Sequence, residues 1–138
     1  MFEVIAHSDG DEKRVFDLLS DIPAWKEWGR PLIPNSVSER DGAPDPNGVG
    51  AVRRAGWVRE EIVEFIPPVR LAYIIVSGVP VRRYRAIVEL EPGPAGGTTI
   101  RWRGQFEPRF RGTGPLLNRL LKAAIDVTAK KLAVAAGR

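Results

Sequence analysis

From Leu116 to Ala136 neither glycine nor proline interrupts the chain, and Pro115 stands just ahead, where a first helical position loses nothing by lacking an N–H. The stretch Gly114 to Ala136 is therefore read as one long helix. At the helical period Arg119, Lys122, Asp126 and Lys130 share one side, with Lys122/Asp126 and Asp126/Lys130 spaced i,i+4. Leu117, Leu120, Leu121, Ala124, Thr128 and Ala135 fall on the other side. A helix with that apolar side needs a surface to lie on. The residues upstream, from Val49 to Phe106, read as strands, so the expected fold is α+β, an antiparallel sheet wrapped around the terminal helix.

At 138 residues, 43% of them hydrophobic, the chain suits one domain over residues 1–138 that buries roughly two thirds of its unfolded surface. Cysteine is absent, which excludes disulfides, thiolate nucleophiles and cysteine metal sites and suits a reducing compartment. The start, MFEVIAHSDGDEKR, lacks a basic segment followed by an apolar run, and no stretch approaches the roughly 20 apolar residues of a membrane span. A soluble cytoplasmic protein is expected, with no stable membrane insertion. The 21 basic residues are scattered among 17 acidic ones without a base-stacking motif, so a nucleic-acid partner is not expected.

Along the chain, Phe2 to Ser8 alternates as a short edge strand. Ser8, Asp9 or Asp11 caps a helix from about Asp11 to Ser20, with Val15, Phe16, Leu18 and Leu19 on its apolar face. DIPAWKEWGRP reads as a second short helix carrying Trp25 and Trp28 and stopped by Gly29 and Pro31. The turn-rich segment to Gly48 holds one strand near Ser36 to Arg40, and Asp41 to Asn47 is a surface turn. The strands VGAVRRAGW, VREEIVEFI, LAYIIVSG, VRRYRAIVELE and TTIRWRGQFE follow. In the last, alternation puts Ile100, Trp102, Gly104 and Phe106 inward, with Trp102 toward the long helix, and Arg101, Arg103 and Gln105 outward. Likewise Tyr84, Ala86, Val88 and Leu90 point in. The SGVP turn leaves the register of LAYIIV open, and with it the side on which Tyr73 falls.

This order resembles the helix-grip arrangement of START-like proteins, and in wording the polyketide cyclase/dehydrase branch of the SRPBCC superfamily. The phrases that carry the likeness are VFDLLSDIPAWKEW, REEIVEFIPPVRLAYIIVSGVP and GGTTIRWRGQFEP, spread over nearly the whole chain. The resemblance implies a curved sheet gripping the helix, with a cavity between them that in relatives takes lipids, sterols, polyketides or plant hormones. A dry, vacant cavity of about 300 Å³ would cost on the order of 7 kcal/mol, comparable to a domain's whole stability. Such a space must be small, wet beside polar groups, or filled. The expected ligand-binding lining is Trp28, Trp57, Tyr73, Tyr84, Trp102 and Phe106 from the sheet side, and Leu117, Leu120, Leu121, Ala124 and Thr128 from the helix.

Other chemistry is sparse. His7 is the only histidine and has no Ser or Cys partner in a recognisable motif, so neither a triad nor a histidine-rich metal site is expected, and no cofactor is called for. Alternation separates Glu61 from Glu60 and Glu64, all three expected to be solvated; one that turned inward would be a general base, with Tyr84 or an arginine holding an enolate. Lys131 projects near the middle of the apolar side, where it either reaches water past the sheet or meets a carboxylate or anionic ligand head. PRFRGTGP, with Arg109 and Arg111, is a basic hinge at the helix start. Three functions fit: a carrier or sequestering protein for a small hydrophobic or aromatic ligand, a cyclase- or dehydratase-type enzyme, and a dimer or partner-binding domain using Ile74 or Ile87 on the outer sheet face, the protein being a monomer or homodimer.

Overall fold

The structure, a computed structural model, describes residues 1–33 and 35–138. Its elements run β1 (Phe2–Ser8), α1 (Glu12–Ser20), α2 (Ile22–Trp28), β2 (Ser36–Arg40), β3 (Val52–Ala55), β4 (Val58–Ile66), β5 (Arg70–Ser77), β6 (Val81–Pro92), β7 (Thr98–Pro108) and α3 (Gly114–Ala136). One antiparallel sheet has the order β1-β7-β6-β5-β4-β3-β2, a meander from β2 to β7 closed by the N-terminal strand. Each hairpin follows from its turn chemistry, and β1 joins β7 because its inner residues Phe2, Val4 and Ala6 are apolar and its outer ones polar or exposed. The long helix lies across the sheet, as expected.

Asp11 caps α1 through its Oδ1, which accepts the Arg14 N–H at 2.8 Å. Helices α1 and α2 close one end of the inner face. Phe16 meets Phe65 of β4 edge-on at 5.2 Å, and Trp25 stacks at a tilt on Trp28 at 4.9 Å. The inner face holds the alternating set Tyr84, Ala86, Val88 and Leu90, with Ile100 and Trp102, all buried. Tyr73 is buried on the same face, opposite Ala86 in register. Outward, Glu64 pairs with Arg70 at 3.4 Å and Arg85 at 2.6 Å, Arg70 also reaches Glu89, and Glu89 pairs with Arg103, so Ile74 and Ile87 lie half-buried between ion pairs.

Two bulges re-aim side chains. In β4 an extra residue between Ile62 and Glu64 turns Glu64 outward, and in β6 one between Arg82 and Arg85 takes Arg83 to φ 51°, while Tyr84 keeps the inward side it shares with Ala86. Gly104 of β7 has no room for a side chain, because a Cβ there would overlap the Phe2 ring.

The two halves of α3 are held differently. Its C-terminal half buries Thr128, Ala129, Leu132, Ala133, Ala135 and Ala136, chiefly against β1 with α1, β7 and α2 beside it. Small residues permit the approach: Ser8 Oγ donates to the Ala133 carbonyl at 2.7 Å, and Gly10 lies flat against the Ala136 carbonyl. The N-terminal half buries no side chain fully; Leu117, Leu121, Ala124 and Ile125 are half-covered.

Candidate functional site: a buried charge pair beneath an aromatic wall

The hairpin β3–β4 turns through Gly56 (φ 63°) and Trp57, which fixes the pairs Ala55↔Val58, Arg54↔Arg59 and Arg53↔Glu60. Since Ala51 and Ile62 face the core, so do Arg53 and Glu60, only 3% and 6% exposed. Arg53 Nε stands 3.4 Å from Glu60 Oε1, and Arg53 Nη1 donates to the Leu19 carbonyl at 3.3 Å, an oxygen that also accepts Trp25 Nε1 at 2.8 Å. The guanidinium carbon lies 4.7 Å from the Trp25 ring centroid and 5.6 Å from that of Tyr73, within cation–π range of both. Nη2 has no hydrogen-bond partner among the described residues. A buried cation with a free donor is costly unless a polar group meets it.

The wall beside this pair is aromatic. Trp102 Nε1 donates to the Tyr73 hydroxyl at 3.1 Å, and the two rings meet edge-on at 6.3 Å. Tyr84 follows at 6.1 Å from Tyr73, then Phe106 at 6.4 Å from Tyr84, a row that runs from the buried Tyr73 to the half-buried Phe106. Burial pushes the Glu60 carboxyl above its ordinary range, while the Arg53 charge and hydrogen bond pull the other way. Burial likewise pushes both phenols well up, and the charge on Glu60 adds to it, so Tyr73 and Tyr84 are neutral donors at physiological pH. The arrangement is an aromatic cluster that buries one acid, one fixed cation and two phenols together. Its polar atoms can accept, donate or hold a proton.

The residues expected to line a pocket differ in how far they are covered. Tyr73, Tyr84, Trp102 and Thr128 are buried, Phe106, Leu117, Leu121 and Ala124 are half-buried, and Trp28 is buried with its Nε1 donating to the Leu18 carbonyl at 3.3 Å. Trp102 is on the inner face as alternation predicts, but the rings it meets are Trp25 of α2 at 6.4 Å and Tyr73 of β5, whereas the expectation is that it points at the long helix.

Three expectations are corrected. Trp57 is 81% exposed, because the strand ends at Ala55 and the tryptophan occupies the turn. Leu120 is 56% exposed: the covered arc of α3 runs through Leu117, Leu121, Ile125, Thr128 and Leu132, and Leu120 lies off it toward the opposite side. Glu60 is buried rather than solvated, whereas Glu61 pairs with Arg40 at 3.3 Å and Glu64 with arginines on the outer face.

Lys131 Nζ donates to the Arg30 backbone carbonyl at 2.6 Å, a partner that neither of its two readings names. His7 is on the outer side of β1, its Nδ1 3.1 Å from Thr99 Oγ1. Arg53 was not anticipated. Its signal was the pairing of RR with REE across a two-residue turn, which forces one arginine and one glutamate onto the inner face together.

A curved antiparallel sheet gripping one long helix, with two short helices after the first strand, defines a helix-grip domain. The family model described as polyketide cyclase / dehydrase and lipid transport matches residues 2–137, and the chain belongs to that family. No curated protein matches it in sequence. Among solved structures it is similar to a START superfamily protein from Mycobacterium smegmatis, with a TM-score of 0.77 at 13% identity over 96% of this chain and 93% of that one. It is also similar to a Thermobifida fusca protein, with a TM-score of 0.74 at 23% identity over 99% and 93% of the two chains. The protein XoxI from Bacillus cereus gives 0.75 at 17% identity over 96% and 92%. At these identities the likeness is one of fold.

Proposed function

We propose that the chain binds a small hydrophobic or aromatic molecule, lipid- or polyketide-like, between the curved sheet and α3, as a cytoplasmic carrier or sequestering protein that is a monomer or homodimer. The observation that carries the reading is the unequal grip on the helix. Its C-terminal half is clamped, while Leu117, Leu121 and Ile125 of the other half and Phe106 of β7 are only half-covered, and Phe106 begins a row of rings that runs through Tyr84 and Tyr73 to Arg53. These half-covered apolar side chains, three on the helix and Phe106 on the sheet, are what an apolar guest would cover.

Native mass spectrometry of the purified protein tests this. A co-purifying apolar mass, or uptake of a long-chain fatty acid or of N-phenyl-1-naphthylamine, is expected; a protein that carries neither and takes up neither overturns the reading.

A second reading has its own observation. Glu60, buried with a raised pKa and flanked by Arg53 and two neutral phenols, has what a general base needs for a proton beside a carbonyl, with the phenols and the cation holding the enolate oxygen. Cyclase- or dehydratase-type turnover of β-keto substrates, lost in Glu60→Gln, would make the protein an enzyme.

A further inference from the structure

The side of α3 turned away from the sheet is apolar. Leu116, Leu120, Val127 and Val134 are 43–59% exposed, and with the exposed Ala123 they form one stripe at the helical period. From Leu116 to Val134 the stripe is about 27 Å long at 1.5 Å per residue. Phe110, 61% exposed, extends it beyond the helix start, joined there by Thr113, whose hydroxyl donates to the Phe110 carbonyl at 2.6 Å.

The charges beside the stripe are mostly basic. From residue 109 to 138 the chain carries four arginines and three lysines against one acid, Asp126, which is already paired with Lys130 at 2.8 Å. A groove of about 490 Å³ between α2 and α3 opens along the same side, where Arg30, Lys131 and Arg138 outnumber the one further acid, Glu27. A second copy of this surface would set these like charges against one another. A bilayer carrying anionic headgroups matches both features, apolar stripe to acyl boundary and basic flanks to phosphates. No described helix is long and apolar enough to cross a membrane, so contact would be along the surface.

We infer that α3 docks this outer stripe on an anionic lipid surface, lying in the interface with Phe110 and Leu116 at one end and Val134 at the other. The inference stands on the outer side of the helix and does not depend on what fills the slot beneath it.

Co-sedimentation of the full chain with vesicles tests it. Binding is expected to phosphatidylcholine vesicles containing about a third phosphatidylglycerol and not to phosphatidylcholine alone. It should fall away in about 0.5 M salt, where the screening length is about 4 Å. Arg119→Gln with Lys122→Gln should weaken it about thirtyfold, and Leu120→Glu with Val127→Glu by about tenfold or more. All four positions are exposed or flank the exposed face, so unchanged thermal melts are expected to accompany these losses. Equal affinity for the two vesicle types, or full binding by the Leu120→Glu/Val127→Glu variant, overturns the inference. So does a wild-type dimer in sedimentation equilibrium that this variant dissolves, since the stripe would then belong to a second copy.

Discussion

Arg53 and Glu60 face each other across the β3–β4 hairpin, Nε to Oε1 at 3.4 Å, both shut away from water. Burying two charges is repaid only if each keeps a partner. Arg53→Met alone should therefore destabilise the domain by about 3 to 5 kcal/mol, because it strands Glu60. Adding Glu60→Leu should restore most of that loss, which urea unfolding of the single and double variants would reveal as a strong coupling. Simple additivity would mean that the two side chains do not act as a pair.

The pair also gives the stability curve a sign. The folded Glu60 carboxyl has its pKa raised above the unfolded value by burial, so its contribution is fully present below the ordinary glutamate pKa and is lost as pH rises through the raised one. Wild-type protein should lose melting temperature relative to Glu60→Gln across that window. Melts of both proteins from about pH 4 to pH 8 check this, and parallel curves would count against it.

Gly104 and Phe2 make a sharper packing test. A methyl at position 104 would overlap the Phe2 ring in a fully packed layer. Gly104→Ala should cost about 1 to 3 kcal/mol, and a companion Phe2→Leu should return part of it. Thermal unfolding of the two variants decides the point.

Ligand uptake should depend on the loosely held half of α3. Leu121→Trp would fill the slot from the helix side at a half-covered position, so the fold should survive while affinity for N-phenyl-1-naphthylamine drops by about tenfold or more. A fluorescence titration with unchanged affinity would place the guest elsewhere.

Much of this was legible from residue patterns. The uninterrupted run after Pro115 is α3, and strict alternation put Tyr84, Val88 and Trp102 inside because a period of two leaves a strand only two faces. Legibility failed where that period breaks. The β4 bulge moves Glu64 to the outer face, and the turn at Gly56 takes Trp57 out of its strand. On α3 the difficulty is different: apolar residues occur on both sides of the helix, so projection placed Leu120 with the covered set, although Leu116, Val127 and Val134 share its exposed side. Arg53 went unseen because a fully buried arginine is rare enough to be passed over when a neighbouring arginine can face water.

The uneven anchoring of α3 makes it a beam clamped at one end. Its less covered part, from Gly114 to about Val127, reaches roughly 21 Å from the clamp, so a tilt of about five degrees there would swing the helix start by about 2 Å. If the domain is the carrier proposed above, guests of different girth would be admitted by elastic leverage, with the sheet and its buried charges left unmoved.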